Sequence, residues 1–161
     1  MKKFNQIAEF GKQLMALDEM DNALELIATQ AKKLVNADRC SIFIVDNEDQ
    51  MLWTKLSDGI GRIVIGLDSG IVGDTYRKEE AQIVNTPYED DRFLKHIDKK
   101  SGYVTKNMLT VPIFNSKREV MGIIQLLNKS RFDFDEKDLE TLNFFANYVS
   151  GSLELVLMNE K

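Results

Sequence analysis

The sequence predicts an α+β domain, an antiparallel β-sheet with its N- and C-terminal helices packed on one face. Three observations carry this expectation. Apolar residues recur at helical spacing at both ends of the chain, β-branched runs punctuated by turn residues lie between them, and two strongly apolar segments flank Asn115-Ser116-Lys117 just before the last helix.

Over residues 4–35, Phe4, Ile7, Ala8, Phe10, Leu14 and Leu17, then Leu24, Ile27, Ala31, Leu34 and Val35, keep a helical period. Asp18 or Asp21 can cap a restart, so two helices or one broken helix are expected. The run Cys40-Ser41-Ile42-Phe43-Ile44-Val45 is strand chemistry and is closed by the turn Asp46-Asn47-Glu48-Asp49. Residues 51–56 return as its hairpin partner, Asp58-Gly59-Ile60-Gly61 turns again, and 62–65 form a short third strand. Asp68-Ser69-Gly70 caps a short helix over 71–77. An extended segment at 81–84 ends at Asn85-Thr86-Pro87, and a one- or two-turn helix over 90–98 is ended by Ser101-Gly102. Residues 108–114 and 120–127 form a hairpin expected to be the central pair of the sheet. Asp135-Glu136 opens the last helix, whose stripe is Leu139, Leu142, Phe145, Ala146, Val149, Leu153 and Val156. Phe144, Tyr148, Leu155 and Leu157 fall off that stripe. This surplus predicts a homodimer through the terminal helices; the alternative is that the two helices pack on each other within one chain.

Composition narrows the function. The chain has 161 residues, 43% hydrophobic and 29% charged, which suits one globular domain. The organisation read from it is a single domain over 1–161, with a helical segment at 1–20 and a helix at 135–158 that links to an effector. No apolar run approaches the ~20 residues of a membrane span, and no signal-peptide core follows the start, so a cytoplasmic protein with no membrane partner is expected. A net charge of −5 argues against a nucleic-acid partner, and any anionic ligand must be held locally. One cysteine, Cys40, and one histidine, His96, supply no zinc set and argue against a Cys-His or Ser-His hydrolase. Glu89-Asp90-Asp91 reads as capping chemistry and not as a metal site, and His96 as an ordinary helix residue; no catalytic residue, metal or cofactor is expected.

Three segments can carry binding chemistry. Gly70 and Gly73 flank a helix start, where unpaired N–H groups and the dipole accept an anion such as phosphate; alternatively they serve a tight strand-to-helix turn. The polar stretch from Arg92 to Thr105 has the makeup of a lid over a polar heterocycle, or of a solvated loop. In Asn128-Lys129-Ser130-Arg131-Phe132-Asp133-Phe134-Asp135-Glu136, Lys129 can pair with Asp135 and pin the last strand to the last helix.

Arg39-Cys40-Ser41-Ile42-Phe43, Gly70-Ile71-Val72-Gly73, Asn85-Thr86-Pro87, Arg92-Phe93, Gly102-Tyr103-Val104-Thr105-Lys106-Asn107, Val111-Pro112-Ile113 and Gln125-Leu126-Leu127-Asn128-Lys129 occur in the order found in GAF domains. The sequence most resembles the cyclic-nucleotide-binding GAF domains of phosphodiesterases and bacterial adenylyl cyclases. That resemblance implies the GAF fold, with a short-helix and loop lid over a ligand pocket on the sheet face away from the terminal helices. It implies that Ser41, Ser57 and Asp58 face a purine base, that the Ile71 and Val72 amides hold a cyclic phosphate, and that Leu94, Asp98, Ser101 and Thr105 belong to the lid, with Gln125 on the last strand. Leu94 replaces an aromatic stacking residue of some members. The subgroup signature is Asn-Lys, a gap, Phe, three residues, then Asp-Glu. Asn128, Lys129, Phe132 and Asp135 are matched to it as a latch without direct ligand contact, although only two residues separate Phe132 from Asp135.

The expected function is a regulatory small-molecule sensor, with cyclic AMP or cyclic GMP as ligand. Because 161 residues leave no room for a catalytic domain as well, it is expected to be part of a larger signalling protein. A ligand-free dimerisation scaffold is the alternative. A third reading, reduction of free methionine sulfoxide, requires several cysteines, and bilin attachment requires a cysteine context that Cys40 lacks.

Overall fold

A computed structural model describes residues 2–15, 20–57 and 62–158. The N-terminal region forms two helices, α1 (Lys2–Met15) and α2 (Met20–Val35); Asp18 and the turn at 58–61 lie outside the described residues. The chain continues as β1 (Ala37–Asp46), β2 (Met51–Ser57), β3 (Val64–Gly66), α3 (Gly70–Lys78), β4 (Gln82–Val84), α4 (Lys95–Ser101), β5 (Met108–Phe114), β6 (Val120–Lys129) and α5 (Glu136–Met158). A single 3-10 turn, Pro87–Glu89, lies between β4 and α4.

All pairings are antiparallel, and the sheet order is β3-β2-β1-β6-β5-β4. The centre is therefore β1 against β6, and the β5–β6 hairpin lies one strand off it. A hairpin is visible in sequence because its pairing is local. The β1–β6 ladder joins residues some 80 positions apart, such as Phe43 and Ile123, and leaves no local sign.

Alternation along the strands divides the side chains between two faces. Cys40, Ile42, Ile44, Leu109, Val111, Ile113, Ile124 and Leu126 pack with α1, α2 and α5 in one continuous core. Phe43, Ile123, Met108 and Leu127 face the opposite way, towards α3. The stripe predicted on α5 is the buried one, through Leu142, Phe145, Ala146, Val149 and Leu153. Helix α1 covers part of its surplus: Phe4 meets Phe144 with ring centroids 5.7 Å apart, and Tyr148 lies across Gly11, where a Cβ would come within 2.4 Å of its hydroxyl.

The helix expected over 90–98 forms later, at Lys95–Ser101. The Asp90 carboxylate accepts the Arg92 backbone N–H (2.9 Å) and binds its guanidinium, so the local turn wins over helix until Leu94. Gly102 then ends α4 in the left-handed region, at φ 78°.

Candidate functional site

The first turn of α3 is the centre of the site. Gly70 enters it at φ 70°, and the Ser69 carbonyl accepts the Gly73 N–H (3.0 Å). The amides of Ile71 and Val72 have no acceptor among the described residues. Gly73 also has the structural role expected of it, since a Cβ there would come within 2.9 Å of the Leu67 carbonyl oxygen. The tight-turn reading of this segment is thus met, and the amides on which the anion-binding reading depends are left without acceptors among the described residues.

These amides border a cavity of about 50 Å³. Of the predicted ligand residues, Ile71, Val72, Leu94, Asp98, Thr105 and Gln125 line it. Ser41 is buried on the same sheet face in register with Gln125 and Ser57, but it does not reach the cavity wall. Ser57 is described only as a backbone position, and Asp58 lies outside the described residues. Ser101 faces away: its hydroxyl donates to the Asp98 carbonyl (3.3 Å), and it lines an outer cleft.

Across this face Ser41, Gln125, Thr110 and Gln82 form one polar rung, each in register with the next, and the Ser57 backbone lies in register beyond Ser41. The Thr110 and Thr75 hydroxyls are 2.6 Å apart, and the Gln82 amide donates to both Thr75 and Asp74. On the next rung Arg39 lies opposite Leu127, stacked 3.8 Å above the Tyr103 ring, with its Nη1 buried and lacking an acceptor among the described residues. Burial and the Asp38 carboxylate, which accepts the Tyr103 hydroxyl at 2.7 Å, push the Tyr103 phenol well up.

The lid is held at two points. Asp98, buried in the cavity wall, accepts the Tyr88 hydroxyl (2.7 Å), the Thr105 N–H (2.7 Å) and the Thr105 hydroxyl (2.8 Å), so both its oxygens bind α4 to its flanks. That hydrogen bond also raises the Tyr88 phenol above its ordinary value. The segment carrying Phe93 and Leu94 is clamped by Arg92, which reaches Asp90 (2.7 Å), Asp74 (2.5 Å) and the Gln82 side-chain amide oxygen Oε1 (2.7 Å). Burial disfavours the Asp74 carboxylate, but Gln82, Lys78 and Arg92 outweigh it and hold the carboxyl at about 2. Leu94 then rests on the start of α3, its Cδ1 3.0 Å from where a Gly70 Cβ would stand.

The latch differs from expectation. Lys129 pairs with Asp138 (2.5 Å), not Asp135. Asp135 is turned into the helix start, where its carboxylate accepts the Asp138 N–H (2.9 Å) and Asp138 accepts the Asp135 N–H (3.0 Å), a reciprocal cap. The Asp138 backbone bond, chiefly, holds the Asp135 carboxyl below its ordinary value. Phe132 is 89% exposed and has no part in the latch; Phe134 is the buried aromatic, clasped by the Asn85 side chain through both its N–H and its carbonyl. Taken as Phe134, three residues and Asp138, the signature spacing is met, with Leu139 following in place of Glu. Asn128 accepts the Lys106 N–H (2.6 Å) and donates to the Val104 carbonyl (2.9 Å), which fastens the end of the lid to β6.

Sequence reasoning missed Arg39, Phe43, Ile63, Ile65, Phe93, Ile97, Met108 and Leu127, and the clamp formed by Asp74, Gln82 and Arg92. Strand alternation was the available signal for Phe43, Met108 and Leu127; nothing local marks the clamp. Cys40 is fully buried and belongs to the helix-side core, so its thiol does not face the cavity. Among the described residues no cluster of metal-ligating side chains occurs, and no helix is long and apolar enough to cross a membrane.

A six-stranded antiparallel sheet with terminal helices on one face and a lidded cavity beside a helix start on the other is the architecture of a regulatory domain. Residues 19–153 match the GAF domain family, and the chain belongs to it. It is 30% identical over 156 residues to a probable 3',5'-cyclic phosphodiesterase, pde-5, of Caenorhabditis elegans, covering 88% of this chain and 21% of that protein. It is 33% identical over 158 residues to a dual cyclic-AMP and cyclic-GMP phosphodiesterase 11A of Takifugu rubripes, covering 84% of this chain and 17% of that one. The chain thus spans about a fifth of the length of these relatives. Among solved structures, the GAF domain of an Acinetobacter phosphoenolpyruvate-protein phosphotransferase superposes with a TM-score of 0.84 at 21% identity, covering 99% of this chain and 98% of that one. Free methionine-R-sulfoxide reductase from Neisseria meningitidis shares the fold, with a TM-score of 0.80 at 15% identity, covering 95% of this chain and 89% of that one.

Proposed function

We propose that this GAF domain is the sensor of a signalling protein, and that it binds cyclic AMP or cyclic GMP with the cyclic phosphate on the Ile71 and Val72 amides. The observation that carries the reading is that those amides lack acceptors among the described residues and border a cavity walled by Asp98, Thr105 and Gln125. Gln125 offers a purine both a donor and an acceptor, and the unmet Nη1 of Arg39 supplies a further donor on the same face. The phosphodiesterase relatives support the choice of ligand.

Ligand pockets ordinarily measure ~300–1,000 Å³, so Leu94 and α4 must give way before a nucleotide fits. Such movement has a route to the terminal helices: the lid ends on Asn128, the next residue is Lys129, and Lys129 holds Asp138 at the start of α5. Phe144, Tyr148, Leu155 and Met158 remain exposed on α5 and supply an apolar strip for a second copy, the homodimer of this proposal.

A ligand-free assembly module is the second reading, favoured by the small cavity and by Leu94 resting on Gly70. Thermal melts with cyclic AMP, cyclic GMP and cyclic dinucleotides separate the two. A ligand at 100 times its Kd adds about 2.7 kcal/mol, a rise of about 5–10 °C for a domain of this size. Flat melts with all of them leave the assembly reading.

A further inference from the structure

The cavity is bounded by walls of very different strength. Its floor is the sheet, and one side is the Phe93–Leu94 segment clamped by Arg92, Asp74, Asp90 and Gln82. The remaining side is the seam between β3 and α4. Beyond it lies an outer cleft of about 330 Å³ lined by Arg62, Val64, His96, Lys100 and Ser101. Ile63, Ile65 and Ile97 line both hollows, so a single layer of side chains divides them.

That layer packs on the Phe43 and Ile123 group, but the elements that carry it are short. Strand β3 has three residues and sits at the sheet edge, paired with β2 alone. Helix α4 has seven residues, no side-chain cap at its start and no extensive packing against another helix or strand. Its Asp98 clasp is at the middle of the helix. A wall with few buried contacts opens first. If the isoleucine layer parts, the two hollows become one that reaches the usual size of a ligand pocket, ~300–1,000 Å³.

The rim of the outer cleft is basic. Arg62 lies on the β3 lip, its guanidinium 4.7 Å above the Trp53 ring, and Lys100 and His96 lie on the α4 lip; no carboxylate lines the cleft among the described residues. In a chain of net charge −5, an anion is repelled at long range, so a local cationic rim decides where it arrives. We propose that the β3–α4 seam is the route by which the anionic ligand reaches the cavity, and that Arg62 and Lys100 accelerate its association. The inference rests on the nucleotide-binding reading above and adds the path and the residues that serve it.

Stopped-flow binding of a fluorescent cyclic nucleotide analogue tests this. The double variant Arg62→Gln/Lys100→Gln is compared with Lys12→Gln/Lys117→Gln, which removes the same charge from exposed sites on α1 and the β5–β6 turn. Both pairs are solvent-exposed, and melts of the unliganded variants verify folding. At low salt the rim variant should associate about five- to tenfold more slowly, within the range of electrostatic steering, with a weaker salt dependence and an unchanged dissociation rate. The remote variant should associate nearly as fast as the wild type. Equal slowing in both variants, unchanged association in the rim variant, or a change confined to dissociation overturns the route. Failure of the wild type to bind any cyclic nucleotide overturns the proposed function, and the route with it.

Discussion

The two faces of the sheet are built on opposite principles. Towards the terminal helices the side chains are apolar without interruption, from Ile7 on α1 through Leu109 and Ile124 to Leu153 on α5. Towards α3 the apolar residues fall into two smaller groups, one around Phe43 and Ile123 and one around Met108 and Leu127. The polar rung through Ser41, Gln125 and Thr110 crosses this face. Apolar burial stabilises by ~25 cal/mol per Å², whereas a buried polar group costs free energy unless it is bonded. The pocket face has therefore given up cohesion for groups that can meet a ligand, and the helix face supplies the stability that permits it.

That contrast can be broken most directly by truncating one apolar residue on each face. Phe145→Ala, which removes the partner of Phe10 at 5.2 Å, should cost about 3–5 kcal/mol in urea denaturation. Leu94→Ala should cost about 1 kcal/mol, because Leu94 is only partly buried, and should strengthen nucleotide binding by clearing the start of α3. Similar costs at the two sites would remove the asymmetry. A second comparison concerns the two acids at the start of α5. Asp138→Ala breaks a largely buried ion pair and should cost about 3 kcal/mol, against about 1 kcal/mol for the cap residue in Asp135→Ala. The reverse order would restore Asp135 as the partner of Lys129.

The smallest effect concerns the clamp. The folded Asp74 carboxyl, at about 2, lies below its unfolded value near 3.8. A depressed acid stabilises the fold above its unfolded pKa, and that contribution fades as pH falls towards the folded value. The stability difference between wild type and Asp74→Asn should thus be full at pH 6, and should shrink between about pH 4 and pH 2 in urea titrations. A difference that holds constant over that window would mean that ionised Asp74 adds nothing to the clamp.

Much of this was legible in the residues themselves. The period along α5, the β-branched run of β1 and the turn at Asn115 are local patterns, and each element formed where they pointed. The helix start at Gly70 and Ile71 was legible for the same reason. The latch was misplaced by three residues, because capping logic correctly made Asp135 a cap but could not show that capping turns its carboxylate away from Lys129. The clamp was invisible because Asp74, Gln82 and Arg92 come from three separate segments.

By itself, then, the sequence determined which stretches are helix or strand, which face of each is apolar, and where unpaired amides stand at a helix start, since these follow from backbone sterics and side-chain periodicity along the chain. Only the tertiary structure decided that β1 pairs with β6 at the centre of the sheet, that Lys129 holds Asp138, and that Leu94 leaves a cavity of about 50 Å³. Those outcomes depend on packing among segments distant in the chain, where volume and geometry in space select among partners that local chemistry leaves equivalent.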